Sequence, residues 1–278
     1  MYADGNRPPA NPGWEEEEAL DIEWAHAVAP HAKIVLVEAA DASAAGLYQA
    51  VDKAAALHPA VVSNSWGMPE FSEESFYDGQ CKLTDAVCTQ STGDAGYPAG
   101  YSSTNPNALA IGGTSLQLDA GGATLGETAW SSTGGGLSYF EKRPAYQDGV
   151  QNSAFRATPD VSFVADPNTG VAVYTTATGR ALWLEVGGTS LSAPVWGALL
   201  TDADQLRATA GKPHLSVAGP NGDTAHGDVY ALGGKLNDVT SGSNGACGAE
   251  CTAGPGYDTV TGLGSPLAGV DTALAAMK

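Results

Sequence analysis

The fold is decided by residues 33–65, which read KIVLVEAADASAAGLYQAVDKAAALHPAVVSNS. The apolar run Lys33–Glu38 predicts a buried strand, 42–57 predicts a helix, and 60–65 predicts the next strand. A further helix is predicted from Glu15 to about Ala29, where acidic residues crowd the first turn and Pro30 ends the pattern. This alternation predicts an α/β fold, a parallel sheet with helices on both faces.

The rest of the chain continues this architecture. A hairpin turn is predicted at 119–122, a loop at 131–138, and a β-hairpin at 171–186 around Thr178-Gly179. A long apolar helix is predicted from Ser190 to about Ala208, a loop over 238–266, and a short closing helix. Because no segment is long enough to be a linker, we expect an irregular segment over 1–14 and a single domain over 15–278.

Composition excludes several function classes. The 278 residues include 12 Lys and Arg against 31 Asp and Glu, which gives a net charge of -19. Such a charge repels nucleic-acid phosphates. No apolar run reaches the ~18–20 residues of a membrane span, and 43% hydrophobic residues are too many for a disordered chain. The first six residues do not resemble a signal peptide, so either the protein is cytosolic or a leader precedes Met1.

Four cysteines form two local pairs, Cys81 with Cys88 and Cys247 with Cys251. Three connectivities are possible, and two local disulfides are the preferred interpretation, which implies an oxidising compartment. A zinc site is disfavoured because neither pair has the tight spacing of a zinc knuckle.

The strongest chemical motif is Gly187-Gly188-Thr189-Ser190-Leu191-Ser192-Ala193-Pro194, a glycine turn that opens an apolar helix. Such a turn exposes the Ser190 hydroxyl near backbone N–H groups that can stabilise an oxyanion. On local sequence alone, Thr189 or Ser190 as a plain N-cap is the simpler interpretation. None of the five histidines lies in a context typical of a catalytic base, so a Ser-His-Asp triad is poorly supported.

Carboxylates are the alternative partners for this serine. Glu17 and Asp21 lie four residues apart, so both project from one face of the first predicted helix. The motif Ser91-Thr92-Gly93-Asp94-Ala95-Gly96 places Asp94 after a predicted strand, where sites form in α/β sheets. The simpler interpretations are a solvated helix terminus and a tight Asp-x-Gly turn.

Taken together, these motifs resemble the sedolisins, the serine-carboxyl peptidases that include kumamolisin. The resemblance covers about residue 15 to the C-terminus and rests on four motifs that occur in the family's order. They are Glu-x-x-x-Asp at 17–21, Ser-Asn-Ser-Trp-Gly at 63–67, Ser-x-Gly-Asp-x-Gly at 91–96 and Gly-Thr-Ser-x-x-x-Pro at 188–194.

The resemblance implies a subtilisin-like fold and a monomeric endopeptidase that acts on proteins or peptides at acid pH. Carried over by motif, Ser190 is the nucleophile, Glu17 the general base, Asp21 its orienting partner, and protonated Asp94 the donor to the oxyanion. Carboxylates this close cannot all ionise, which separates their pKa values. The enzyme is expected to be secreted.

The resemblance also implies one Ca2+ site in the loop 238–258. Its ligands would be the carboxylates of Asp238 and Asp258 and the carbonyl oxygens of Val239, Gly254 and Gly256, with water completing the shell. Plain turns in an Asp-rich loop are the simpler interpretation.

Only 16 residues precede Glu17, whereas sedolisin domains begin with an earlier strand and helix. The chain is therefore expected to lack that first strand and helix. This departure keeps a second hypothesis open, an inactive homologue that binds calcium or peptide. A third hypothesis, a glycoside hydrolase that uses Glu17 and Asp21, leaves Ser190 and Asp94 unexplained.

Overall fold

A parallel sheet lies at the centre of the protein, whose computed structural model describes residues 1–177 and 179–277. The helices are α1 (Pro12–Val28), α2 (Ala44–Ala55), α3 (Thr189–Thr209), α4 (Thr224–Tyr230) and α5 (Val270–Ala276). The strands are β1 (Val61–Asn64), β2 (Met68–Pro69), β3 (Val87–Ser91), β4 (Gly100–Tyr101), β5 (Ala108–Leu118), β6 (Thr124–Ala129), β7 (Gly136–Lys142), β8 (Phe155–Thr158), β9 (Val161–Val164), β10 (Val171–Thr175), β11 (Leu182–Val186), β12 (Leu236–Asn237) and β13 (Ser265–Pro266).

The central sheet has the parallel order β1-β3-β5-β9, and β6 pairs antiparallel with β5. Every residue of β3 is buried, as expected for a strand covered on both faces. The prediction of an α/β fold with a parallel sheet is thus confirmed.

Helix α3 forms the main core against this sheet. Trp196, Leu200 and Ala203 of α3 are fully buried and pack with apolar residues of β3, β5, α4 and α5. A second cluster joins Tyr48 and Val51 of α2 to the sheet residue Val62. The long apolar pattern after Ser190 therefore becomes the helix around which the domain packs.

Helix α1 begins earlier than the sequence predicts. The Asn11 side chain accepts hydrogen bonds from the N–H groups of Gly13 (3.0 Å) and Trp14 (3.3 Å), and Pro12 occupies the first turn. These are strong helix-start signals, so residues 12–14 are helical rather than irregular. The helix ends at Val28, close to the predicted end.

The predicted buried strand at 33–38 is wrong. The segment forms no strand, and Ile34 and Val35 are 38% and 43% exposed. Its ordered contacts are with the N-terminus, where the Met1 amino group donates to the Leu36 carbonyl oxygen at 2.7 Å. Residues 33–38 form no strand because they have no pairing partner: β1 pairs with β3 alone, and both β1 and residues 33–38 line a cavity of about 1430 Å3.

The predicted hairpin turn and the predicted β-hairpin are both present. The turn at 119–122 joins β5 to β6, and β10 pairs antiparallel with β11, as predicted, although the turn residue Thr178 lies outside the described residues. The loop predicted over 131–138 ends early, because Gly136 already pairs with Thr158 in β7 and β8. Within the described ranges, no helix has the length and hydropathy needed to cross a membrane.

Both local disulfides are present. Cys81 is joined to Cys88 and Cys247 to Cys251, with Cα–Cα distances of 5.5 Å and 5.3 Å. The first links a 3-10 helix over Glu74–Cys81 to β3, and the second lies inside the loop 238–258. Their presence fits an oxidising compartment.

Candidate active site

The site lies at the carboxyl ends of two neighbouring parallel strands. Ser65 follows β1 directly, and Asp94 follows β3 after two residues. Since β1 and β3 are hydrogen-bonded neighbours, their ends bring these two side chains to one edge of the sheet. Ser190, in the first turn of α3, lies beside Ser65, because the Ser65 hydroxyl donates to the Ser190 carbonyl oxygen at 3.2 Å.

A glycine turn sets the position of Ser190. Gly188 is the residue before α3 and has φ +110°, a conformation that other residues rarely adopt. A Cβ at Gly188 would also lie 2.7 Å from the Asp94 Oδ2 atom. Glycine is therefore required here twice, for the backbone conformation and for the close approach of Asp94.

Thr189 connects the turn to Asp94. Its N–H and its hydroxyl each donate to Asp94 Oδ1 at 2.8 Å, while the Gly93 N–H donates to the Thr189 hydroxyl at 2.9 Å. The N-cap residue of α3 is Gly188, so the interpretation of Thr189 or Ser190 as a plain N-cap is wrong. Instead, Thr189 fixes one oxygen of Asp94 and leaves Oδ2 beside the turn that carries Ser190.

Helix α1 supplies the two carboxylates predicted to assist Ser190. Leu20 of α1 is buried in one cluster with Leu191 and Val195 of α3. This contact holds the face of α1 that bears Glu17 and Asp21 against the first turn of α3. The four-residue spacing read from the sequence thus places both carboxylates at the same site as Ser190.

Glu17 is in an environment that resists ionisation. Burial raises the pKa of Glu17 to about 7, a hydrogen bond with the Ser190 side chain lowers it, and the charge of Asp94 raises it further. The Glu17 Oε1 atom is buried with no hydrogen-bond partner among the described residues. A carboxylate with a pKa near 7, bonded to a hydroxyl, matches what a general base needs near neutral pH.

Asp21 is the more strongly perturbed member of the pair. Burial raises the pKa of Asp21 well above its usual value, and the nearby charge of Glu17 raises it further. The Ser65 hydroxyl donates to Asp21 Oδ1 at 2.7 Å, which acts in the opposite direction. Each carboxylate therefore resists ionisation while the other is charged, because the two charges lie close together in a buried site.

The structure brings together Ser190, Glu17, Asp21 and Asp94, and adds two residues to which sequence reasoning gave no role. Ser65 hydrogen-bonds Asp21, and Thr189 hydrogen-bonds Asp94. Both belong to motifs that were visible in the sequence, Ser-Asn-Ser-Trp-Gly and Gly-Thr-Ser. Their partners are far away along the chain, so local patterns could not assign them.

The histidines lie in other environments. His58 pairs with Asp85 at 3.0 Å, His214 with Asp204 at 3.3 Å, and the buried His226 with Asp223 at 2.9 Å. His26 and His31 are exposed. These contacts agree with the prediction that the histidines have ordinary roles, and Glu17 is the group that meets the serine.

The carboxylates of the loop 238–258 accept hydrogen bonds from neighbouring groups of the chain. Asp238 Oδ2 accepts from the Gly256 N–H at 2.8 Å, and Asp258 Oδ2 accepts from the Gly254 N–H at 2.9 Å, so both carboxylates converge on residues 254–256. Over residues 1–177 and 179–277, no group of three or more His, Cys, Asp or Glu side chains could hold a metal. The loop fits calcium in donor type, with two carboxylates, and would need carbonyl oxygens and water for the rest.

Comparison with known proteins gives a consistent result. The model of the subtilase family matches residues 10–213. Kumamolisin from Bacillus sp. (strain MN-32) is 33% identical over 94% of this chain, and sedolisin from Pseudomonas sp. (strain 101) is 31% identical over 81% of it. The alignments cover 51% and 37% of those two relatives, so this chain spans about half of their length or less.

A solved structure shows the same fold. It is Pseudomonas sedolisin, a serine-carboxyl proteinase complexed with two molecules of pseudo-iodotyrostatin. It matches with a TM-score of 0.79 and 24% sequence identity, over 99% of this chain and 83% of the other. The subtilisin-like α/β fold implied by the motifs is thereby confirmed.

Proposed function

Because the chain belongs to the subtilase family and is related to the sedolisins, we propose that it is a serine-carboxyl endopeptidase. The observation that carries the proposal is the position of Glu17 beside the Ser190 side chain at the start of α3, close enough for the hydroxyl to lower the pKa of Glu17. It gives the serine a base in a chain whose paired histidines bind aspartates elsewhere.

The proposed reaction is acyl transfer. The Ser190 oxygen attacks the peptide carbonyl carbon as Glu17 takes the hydroxyl proton, and the oxyanion accepts a hydrogen bond from protonated Asp94. Glu17 then gives the proton to the leaving amine, and water hydrolyses the acyl-enzyme by the reverse sequence. Asp21, held by Ser65, carries a proton and orients Glu17.

The proposed mechanism sets a pH requirement, because Glu17 must be ionised to accept the Ser190 proton. Because the pKa of Glu17 is about 7, activity should still be rising with pH well above a strongly acidic optimum near pH 4.

Hydrolysis of casein and of a quenched peptide library would test the proposal. Wild type should cleave both, and Ser190→Ala and Glu17→Gln should lose the activity. Ser192→Ala is the matched control, because Ser192 lies in the same helix turn but is buried against the Phe163 and Val164 carbonyls. Equal activity in wild type and Ser190→Ala would refute the proposal. A folded chain that also fails to react with a peptide aldehyde would favour the inactive, ligand-binding alternative.

We also propose that the loop 238–258 binds one Ca2+ ion through Asp238, Val239, Gly254, Gly256 and Asp258. Burial raises the pKa of Asp258, a cost that a bound cation would offset. Calorimetric titration with Ca2+ should show one site that is lost in Asp258→Asn. No heat of binding in wild type at millimolar Ca2+ would refute this. The two disulfides support the further proposal that the enzyme works outside the cell.

A further inference from the structure

The loop 92–97, which carries Asp94, is anchored to the glycine-rich segment 132–136. The Gly134 N–H donates to the Gly93 carbonyl oxygen at 2.7 Å, directly beside Asp94 in the chain. Asp94 itself is exposed. Because little of Asp94 is buried, the place of its carboxyl group depends on the groups that hold the loop on either side.

Asn244 joins the loop to the same segment from the other side. Its carbonyl oxygen accepts from the Tyr97 N–H at 2.9 Å, and its side-chain Nδ2 atom donates to the Thr133 carbonyl oxygen at 3.0 Å. The backbones approach closely here, since a Cβ at Gly96 would lie 2.6 Å from the Asn244 carbonyl oxygen. A single residue thus binds both the loop of Asp94 and the segment against which that loop rests.

The Asn244 side chain is buried with one of its polar atoms unpaired. It is 4% exposed, and its Oδ1 atom has no hydrogen-bond partner among the residues that the structure describes. An unpaired buried oxygen lowers stability. The amide is therefore better explained by the hydrogen bond that its nitrogen makes than by packing.

A hairpin closed by a disulfide holds Asn244 in place. The Asn244 N–H donates to the Cys251 carbonyl oxygen at 3.1 Å, and Ser243 forms an antiparallel bridge with Thr252. The disulfide between Cys247 and Cys251 closes the turn of this hairpin. The hairpin is thus built to present Asn244 at a fixed place.

We propose that Asn244 is a positioning residue, which holds Asp94 where the oxyanion forms by tying the loop 92–97 to the segment 132–136. The inference rests on the proposed function, since it gives Asn244 its effect through Asp94. A displacement of about 1 Å can cost about a hundredfold in rate, even from a remote substitution. Loss of the Asn244 side chain should therefore lower kcat by about tenfold to a hundredfold and leave KM little changed.

The first measurement is hydrolysis of a quenched peptide by the full chain carrying Asn244→Ala. Gln147→Ala is the matched control, because Gln147 is fully buried and its Nε2 atom donates to the Ala157 carbonyl oxygen at 2.7 Å. Both substitutions remove a buried amide that binds a backbone carbonyl. Gln147→Ala should lower the melting temperature and leave kcat unchanged.

A double-mutant cycle with Asp94 separates positioning from general stabilisation. In the Asp94→Ala background, Asn244→Ala should have little further effect on kcat, because the donor that it positions is gone. If Asn244 acted on the rest of the site instead, kcat would fall by the same factor in both backgrounds.

Hydrogen exchange supplies a measurement that needs no catalysis. The amides of Gly96, Tyr97 and Gly134 should exchange faster in Asn244→Ala than in wild type and stay unchanged in Gln147→Ala. If Asn244→Ala does not fold, Asn244→Leu, which fills similar space without a donor, replaces it. A wild type that hydrolyses no peptide would refute the proposed function, while exchange would still show whether Asn244 holds the loop 92–97.

Three results would overturn the proposal. They are unchanged kcat in the folded Asn244 variant, the same loss of kcat in the wild-type and Asp94→Ala backgrounds, and unchanged exchange of the amides of Gly96, Tyr97 and Gly134.

Discussion

Replacement of Asp94 by asparagine should preserve peptide hydrolysis and leave a pH profile of kcat/KM that follows Glu17. In the proposed mechanism Asp94 donates to the oxyanion only while it is protonated, whereas an amide donates at every pH. Asparagine also keeps the oxygen that accepts from the Thr189 N–H and hydroxyl, both at 2.8 Å. The substitution therefore keeps a hydrogen-bond donor at the same position and leaves its anchoring in place.

The size of the effect follows from Glu17. With the donor no longer titrating, activity should follow the ionisation of Glu17, whose pKa is about 7. It should rise by about tenfold per pH unit and then level off, so that activity at pH 5 is roughly one hundredth of the plateau. Asp94→Ala loses the donor as well as both anchors, and loss of one oxyanion donor typically costs about 10²–10³ in kcat.

The assay is hydrolysis of a quenched peptide from about pH 4 to about pH 9, a range that spans the pKa of Glu17. Melting temperatures show which variants stay folded, and Asp119→Asn in the β5–β6 turn is the matched control. Activity in Asp94→Asn as low as in Asp94→Ala would refute the role of Asp94 as a donor. So would full activity in Asp94→Ala.

Three further outcomes are expected. Gly188→Ala should abolish peptide hydrolysis, because the added Cβ would contact Asp94. Gly149→Ala is the control, since Gly149 has φ +86° and open space around it, and urea unfolding should show a loss of only ~1–2 kcal/mol in the free energy of unfolding. Arg156→Ala should lower the free energy of unfolding by about 3–5 kcal/mol, since it leaves a fully buried aspartate without its cation, while Arg143→Ala, at a partly exposed pair with Asp148, should cost less. Burial raises the pKa of Glu74 from 4.5 to about 8, so its stabilising protonation is complete below pH 4.5 and lost as the pH rises through 8. The melting temperature of Glu74→Gln should therefore fall less than that of wild type over this range, and equal slopes would contradict the assignment.

Much of the fold could be predicted from the sequence because its signals are local. The apolar pattern after Ser190 became α3, and the glycines at 187–188 became the turn before it. The extension of α1 back to Pro12 is also encoded locally, in the cap residue Asn11 and in Pro12, which precede the acidic run from Glu15.

The failure at 33–38 has a different cause. An apolar run encodes the capacity to be a strand, and a strand exists only when a neighbour supplies hydrogen bonds. That neighbour is missing from the residues beside Ile34 and Val35, so the same run lies extended and half exposed. No local pattern reports the absence of a partner.

The candidate site, too, could be predicted from the sequence only in part. Spacing alone placed Glu17 and Asp21 on one face of a helix, and motif order indicated their meeting with Ser190. The contacts that fix their chemistry, Ser65 to Asp21 and Thr189 to Asp94, join distant parts of the chain. These links, and the pKa values that depend on burial, needed the folded chain.

The attachment of Asp94 to Thr189 has a consequence for how the catalytic centre would fail. The proposed nucleophile and oxyanion donor are held together, since Thr189, which binds Asp94, is adjacent to Ser190 in α3, whereas Glu17 lies on a separate helix, α1. Thermal motion would therefore preserve the distance between Ser190 and Asp94 but change the distance between Ser190 and Glu17. Warming should therefore stop proton transfer from Ser190 to Glu17 while the chain remains folded. An aldehyde inhibitor would still be bound next to Asp94, the proposed oxyanion donor.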